Sequence, residues 1–286
     1  MYTDQEYSNV GNRNFLNSAF FSSDSLVAKV AFLILVIFLF VIVLKFAIQL
    51  MSWSYNTFKS PLLLNGMINA KQPLIIPQDP SLQNSKTILR SVNQHGGIEF
   101  SWSVWILIND LTYMSGQYKH IFHKGNSNFV STSGDANLGL NFPNNGPGLY
   151  IAPNSNNLVV IMNTYDTIND EIVVSDIPIN KWVNVIIRCK DSTIDVYING
   201  VITKSMELMG VPKQNYGDVY LAMNNGFDGY ISNLAYYDRA ISASDVREIL
   251  QAGPNVKMVS TPTGNSATNR NNLDYLSLRW YFYGSQ

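Results

Sequence analysis

At 286 residues, with a formal net charge of −1 and 14% charged residues, the chain has room for one large β domain and appendages but not for two full domains. No basic stripe interleaved with aromatic residues occurs, so a phosphate-backbone binder is excluded and nucleic acid is not an expected partner. The lone Cys189 excludes an intramolecular disulfide.

Residues 1–25 are polar and carry Asp4, Glu6, Arg13 and Asp24, the composition of a short tail. Residues 26–51 are the strongest single signal. Val30 to Leu44 is unbroken hydrocarbon and aromatic, and the apolar run continues past Lys29 and Lys45. As a helix, Leu26 to Met51 spans about 39 Å, enough to cross a hydrocarbon core of about 30 Å with both lysines near its faces. Leu26, Lys29, Phe38, Lys45 and Met51 are the anchor residues, and Trp53 stands just beyond them at an interfacial position. A cleaved signal peptide would need a shorter apolar region and a small-x-small site, which Phe46-Ala47-Ile48-Gln49 does not offer. The partner implied is a lipid bilayer.

Residues 52–95 contain Pro61, Pro73, Pro77 and Pro80. Prolines at that spacing predict an extended connector that donates one edge strand to the folded domain. That domain is expected over residues 96–252. A long aromatic strand is predicted over Ile98–Asn109, and shorter ones over Leu138–Phe142, Gly148–Ala152, Leu158–Asn163 and Glu171–Ser175. Lys181–Ser205 then alternates apolar and polar residues in three runs broken at Asp191-Ser192 and Asn199-Gly200. Asn-Gly suits the positive φ angles of a tight hairpin turn, so three consecutive antiparallel strands are predicted. Cys189 falls on the apolar face of its strand and is expected to be an inert thiol. Strands over Val219–Met223 and Tyr230–Tyr237 close the series. A late helix is predicted where Ser242 caps, Asp245 lies three residues on, and Val246, Ile249 and Leu250 form a stripe ended by Gly253-Pro254. Many strands spaced by turn chemistry predict an all-β protein, a two-sheet antiparallel sandwich of jelly-roll type.

Residues 253–286 form a polar linker and an aromatic tail. Leu273, Tyr275, Leu276, Arg279, Trp280, Tyr281, Phe282 and Tyr283 carry more apolar area than a free terminus retains, and they are the expected contact with a partner protein or with the chain's own domain.

Compartment can also be read. The chain is rich in asparagine yet holds no Asn-x-Ser/Thr sequon. Together with the missing disulfide, and with Lys45, Lys59 and Lys71 after the span, this places the C-terminal domain on the cytosolic side of a single-pass membrane protein.

Three pieces carry a family resemblance. Gly96 to Trp105 (GGIEFSWSVW) resembles the opening strand of the concanavalin A-like jelly roll. Lys181-Trp182-Val183-Asn184-Val185, followed by Tyr197-Ile198-Asn199-Gly200, is similar to the core of laminin-G-like domains. Phe227 to Leu234, with Tyr237-Asp238-Arg239-Ala240-Ile241-Ser242, resembles their closing signature. The resemblance implies a binding fold, with calcium as the one cofactor such domains hold at their rim; Asp135, Asn137, Asn225 and Asp228 are the residues that would supply it. Turn residues are the alternative reading of all four, because Asn and Asp tolerate left-handed backbone. The combination of this domain with an N-terminal span and an aromatic tail also resembles virion proteins of large DNA viruses with an internal membrane. That likeness implies a minor capsid or inner-membrane role linking membrane to shell, with capsid proteins as partners. Carbohydrate is the partner implied by a lectin alternative.

No chemistry of catalysis is legible. Glycosidases on this fold place a carboxylate pair on one strand, and no such run occurs, so an enzyme is not expected. His120 and His123 are an odd number of residues apart, which predicts opposite faces of a strand and no shared metal. Trp102, Trp105 and Trp182 are expected mostly in the core, and Tyr150, Tyr165, Tyr216 and Tyr220 near exposed loops.

Overall fold

A computed structural model describes residues 26–91 and 98–259, with the side chains of residue 28 and residues 52–59 left aside. The chain divides into two compact units, Met1–Thr57 and Phe58–Gln286, each described by itself.

The first unit holds most of helix α1 (Leu26–Lys59), which continues past the end of the apolar run at Met51. Its stretch Lys29–Met51 has a mean hydropathy of 3.2, is long and apolar enough to cross a membrane, and buries none of its side chains. Apolar residues surround the helix on every side, so it lacks the polar face that a helix lying on a water-soluble core would show.

The second unit is a sandwich of two six-stranded antiparallel sheets, a jelly roll. Its strands are β1 (Met67–Asn69), β2 (Leu74–Ile76), β3 (Glu99–Asp110), β4 (Lys119–Gly125), β5 (Asn145–Ile151), β6 (Leu158–Met162), β7 (Asp170–Val174), β8 (Trp182–Lys190), β9 (Thr193–Ile198), β10 (Val201–Glu207), β11 (Asp218–Leu221) and β12 (Asp228–Tyr237). One sheet runs β1-β12-β3-β8-β9-β10, the other β2-β11-β4-β5-β6-β7. The proline-containing segment before residue 96 thus supplies two edge strands, one to each sheet, rather than one. Pro73 and Pro77 flank β2 on the outermost position, where a missing N–H costs no ladder bond.

The meander forms as its sequence dictates. Val185 pairs with Ile198, Lys190 with Thr193 and Val201 with Ile198. Asn199 and Gly200 take φ angles of 50° and 81°, the left-handed pair a two-residue hairpin turn requires. Between the sheets lies one apolar cluster that includes Phe100, Trp102, Ile121, Phe122, Val185, Ile187, Cys189, Ile231 and Tyr236. Trp102 stacks on Phe122 with ring centroids 5.4 Å apart. Burial raises the Cys189 thiol to about 12, which keeps it protonated and unreactive.

Part of each outer face is covered too. Helix α2 (Ala243–Ala252) has the predicted capping box between Ser242 and Asp245. Its Val246, Ile249 and Leu250 pack with Ile241 against Ile186 and Tyr197 of the first sheet. Over the second sheet, Leu140 and Phe129 pack on Tyr150, Val159 and Ile161. The segment carrying Leu138–Phe142 is not the expected strand: residues 133–134 and 136–139 are turns, with one isolated bridge between Phe129 and Asn141. The Asn, Gly and Pro around it make turn chemistry stronger than the short apolar run.

Candidate functional site

Strand β4 decides the geometry of the site. Its pairing with β5 slips between His120 and Phe122, where one extra residue is inserted. A bulge of this kind reverses the alternation beyond it. Ile121 and Phe122 therefore both join the inter-sheet core. His120 and His123 share the opposite face, against expectation: their rings are 4.8 Å apart, and Nε2 of His120 lies 2.7 Å from Nδ1 of His123. Both rings are buried beneath Phe129, with His120 also beside Tyr150. Tyr150 donates its hydroxyl to Oδ1 of Asn145 at 2.6 Å, and Asn145 Nδ2 donates to the Asn141 carbonyl at 2.8 Å. This closed polar network pins the covering segment to the sheet. Tyr150 is thus fully buried and Tyr220 nearly so, stacked on His123, whereas Tyr165 and Tyr216 are exposed at 69% and 78%.

The next residue, Lys124, is turned by the same bulge to the inner side of the sheet, at the end of the sandwich. A cleft of about 280 Å³ opens there. Phe100, Trp102 and Tyr236 of the first sheet form its apolar wall, and Lys124 and Asp218 come from the second. The strap after β2, with Gln78, Ile88 and Arg90, and the turn with Gln214, Asn215 and Tyr216 close its rim. The strap is tied down through Gln78, whose backbone N–H donates to Asp218 Oδ1 at 2.8 Å and whose Oε1 accepts from Ile88 N at 2.8 Å. Arg90 Nη1 donates to the Tyr216 hydroxyl at 3.3 Å. Lys124 is 7% exposed, and its ammonium donates to the Gly217 carbonyl. Among the described residues no carboxylate forms an ion pair with it. Burial pushes its pKa down to about 8, with Asp218 offsetting part of that cost.

The residues expected to hold calcium have local partners. Asp135 accepts from the Asn137 backbone N–H within its own turn, at 2.8 Å. Asn225 sits at φ 63° in the turn before β12. Asp228 pairs with Lys71 at 3.1 Å. Among the described residues, no group of three or more His, Cys, Asp or Glu is placed to hold a metal ion. Leu273–Tyr283 and residues 92–97 lie outside the described residues.

A laminin-G-type profile, described as the concanavalin A-like lectin/glucanases superfamily, matches residues 83–247, more than half of the chain. The chain belongs to that superfamily. A search of curated proteins gave no match. Among solved structures this concanavalin A-like chain is similar to the receptor binding domain of botulinum neurotoxin C/D mosaic serotype, at 18% identity and a TM-score of 0.42 over 54% of this chain and 36% of the other. It is also similar to the botulinum neurotoxin type G receptor binding domain, at 15% identity and a TM-score of 0.41 over 65% and 46%. The chain thus spans less than half the length of these two structures, and the likeness concerns fold alone.

Lys124 and the cleft were missed from sequence. Strict alternation from Ile121 points Lys124 outward, and only the bulge turns it in. The one available signal was Gly125 directly after it, a residue type that marks close backbone approach in a strand.

Proposed function

We propose that the chain is a single-span membrane protein whose concanavalin A-like sandwich works as a non-catalytic binding and adaptor domain at the lipid surface. The observation that carries this reading is α1, whose Lys29–Met51 stretch is apolar on all sides with no side chain buried. Water disfavours such a surface by about 25 cal/mol per Å², and a bilayer removes the penalty. A secretory signal has an apolar region of about 7–15 residues. The 23 residues here favour an anchor.

The non-catalytic reading is supported by what the carboxylates do. Asp195 is bound to Arg188 at 2.8 Å, Asp170 accepts from the Met209 N–H at 3.0 Å, and Asp245 closes the cap of α2. Each holds the fold together. The finer setting is the membrane of a large DNA virus particle, with the sandwich facing the capsid shell and the aromatic residues Leu273–Tyr283 gripping a shell protein. The sequon-free, disulfide-free composition and the lysines after the span support that orientation.

Protease protection on sealed membranes tests the scheme. The full-length product should stay in the membrane fraction through alkaline carbonate, and its sandwich should be reached by protease added on the cytosolic side. A sandwich shielded from that protease reverses the orientation. Recovery of the intact chain as a freely soluble protein rejects the anchor. Deleting residues 273–286 should weaken association with shell proteins and leave the melting temperature unchanged.

A second reading, an outward-facing lectin, is favoured by one observation: the cleft combines aromatic walls with donors and acceptors at a size suited to a single sugar ring. Binding on a sugar array, together with protease access on intact cells or particles, would select it over the adaptor.

A further inference from the structure

We infer that Lys124 is a reactive amine that captures an aldehyde or ketone carried on a flat apolar body and holds it in the end cleft as an imine. The geometry supplies the parts. Lys124 lies on the inner face of its strand and is a lining residue of a cleft of about 280 Å³ whose wall is made by Phe100, Trp102 and Tyr236. Those rings accept a flat apolar body, and Lys124 lines the same cleft. Its one described hydrogen bond goes to the Gly217 carbonyl, which leaves the nitrogen lone pair of the neutral form uncommitted.

Two further lysines whose pKa is lowered by partial burial differ in placement. Lys86 Nζ donates to the Leu62 and Leu63 carbonyls at 2.9 and 2.8 Å, and Lys119 Nζ to the Pro153 carbonyl at 3.0 Å. Neither lines the cleft. Lys124 alone of these three is both buried and a lining residue of the cleft. The charged groups facing it there are Asp218, Arg90 and Asp79, two carboxylates and one cation. With its pKa held down to about 8, about a fifth of the amine is neutral near pH 7.4, against about one part in a thousand for an ordinary lysine. Desolvation of this kind is how amines become nucleophilic towards carbonyl carbon.

The step balances without an oxidant or reductant. The nitrogen lone pair attacks the carbonyl carbon, and the C=O π pair becomes an alkoxide that takes the proton lost from nitrogen. The carbinolamine then gives up its hydroxyl with a proton as water, leaving C=N. Amine plus carbonyl becomes imine plus water, and the sandwich keeps its ligand until water reverses the bond. The inference is independent of how the chain is anchored.

The test uses the full chain in mild detergent, incubated with pyridoxal and sodium cyanoborohydride, which reduces the imine to a stable secondary amine, and then mapped by peptide mass. At pH 7.5 Lys124 should label at least about tenfold faster than Lys86, Lys119 and the exposed Lys204. Its labelling rate should level off above pH 8, and Lys124→Arg should lose the adduct. Because the readout is taken on the unaltered chain, misfolding of the variant does not obscure it. Labelling spread evenly over the lysines, a rate that keeps climbing to pH 10, or an unlabelled Lys124 beside a labelled Lys204 each overturns the assignment.

Discussion

Nε2 of His120 lies 2.7 Å from Nδ1 of His123, and the atoms around this pair fix both protonation states. His123 Nε2 faces the Asn126 carbonyl at 2.7 Å, an acceptor only, so that nitrogen carries the hydrogen. Neutral His123 then accepts at Nδ1, and His120 donates to it from Nε2–H. His120 Nδ1 in turn accepts the Met223 backbone N–H at 2.9 Å. Every ring nitrogen is satisfied with both rings neutral. A proton added to either ring would set N–H against N–H.

Acid should therefore loosen the sandwich before most carboxylates titrate. Burial, the dominant cause, lowers His123 to about 4 and His120 well below its ordinary value. Unfolded histidines titrate near 6.5, so between pH 6.5 and 4 the unfolded chain binds more protons and stability falls as pH falls. For His123 alone the loss amounts to about 3 kcal/mol across that window. Denaturant melts of the full chain at pH 7 and pH 4.5 should show it, and His123→Gln should flatten the slope. Equal stability at the two pH values would refute the neutral pair.

How much of this was written plainly in the chain depends on where the backbone keeps a strict period. The Trp182–Ile202 part of the meander pairs without a register shift and turns on Asn199-Gly200, so its strands were legible, and the one slip, between Ile202 and Lys204, lies in the exposed strand β10. The capping box at Ser242 was equally plain. Strand β4 was not, because KHIFHKG carries a bulge that sets two consecutive apolar residues inward and reverses every side chain after them. The same slip hid the histidine contact and the inward Lys124. Tyr150, expected near exposed loops, is buried because the Asn126–Asn145 segment folds back over the sheet, a long-range event no local pattern records.

Replacing Lys124 by methionine should stabilise the fold. The folded lysine has its pKa depressed to about 8, below that of the unfolded chain, so the unfolded state binds more protons between pH 8 and about 10.5. Stability of the unaltered chain should rise with pH through that window, by up to about 3 kcal/mol. Lys124→Met removes the buried charge, gains about 1–3 kcal/mol at pH 7 despite the lost bond to Gly217, and abolishes the rise. A variant less stable than the parent at pH 7 would show that the ammonium is a structural group.

Gly200 and Gly116 share a φ of 81° but differ in what a side chain would meet. A Cβ at Gly200 would stand 2.3 Å from Leu250 Cδ1, whereas one at Gly116 meets nothing within 4 Å. Gly116→Ala should cost about 1 kcal/mol, the strain of left-handed backbone alone. Gly200→Ala should cost about 1 kcal/mol more, because Leu250 must move and loosen α2 on the first sheet. The double variant Gly200→Ala with Leu250→Ala separates the two contributions: the extra cost of the glycine change should vanish in the Leu250→Ala background. If it persists, α2 does not depend on that contact.

The apolar run also sets how much charge the anchor withstands. From Val30 to Leu44 every residue except Ala31 is Val, Leu, Ile or Phe. At about −0.3 to −0.6 kcal/mol each, these contribute roughly −4 to −8 kcal/mol to insertion. One arginine at the centre costs about 3 kcal/mol. Phe38→Arg should consequently remain in the carbonate-resistant membrane fraction. Adding Ile34→Asp and Ile42→Asp brings the charge cost to roughly 9 kcal/mol, above the whole favourable sum, and should release the chain. Release by Phe38→Arg alone would mean that the helix rests on the lipid surface instead of crossing it.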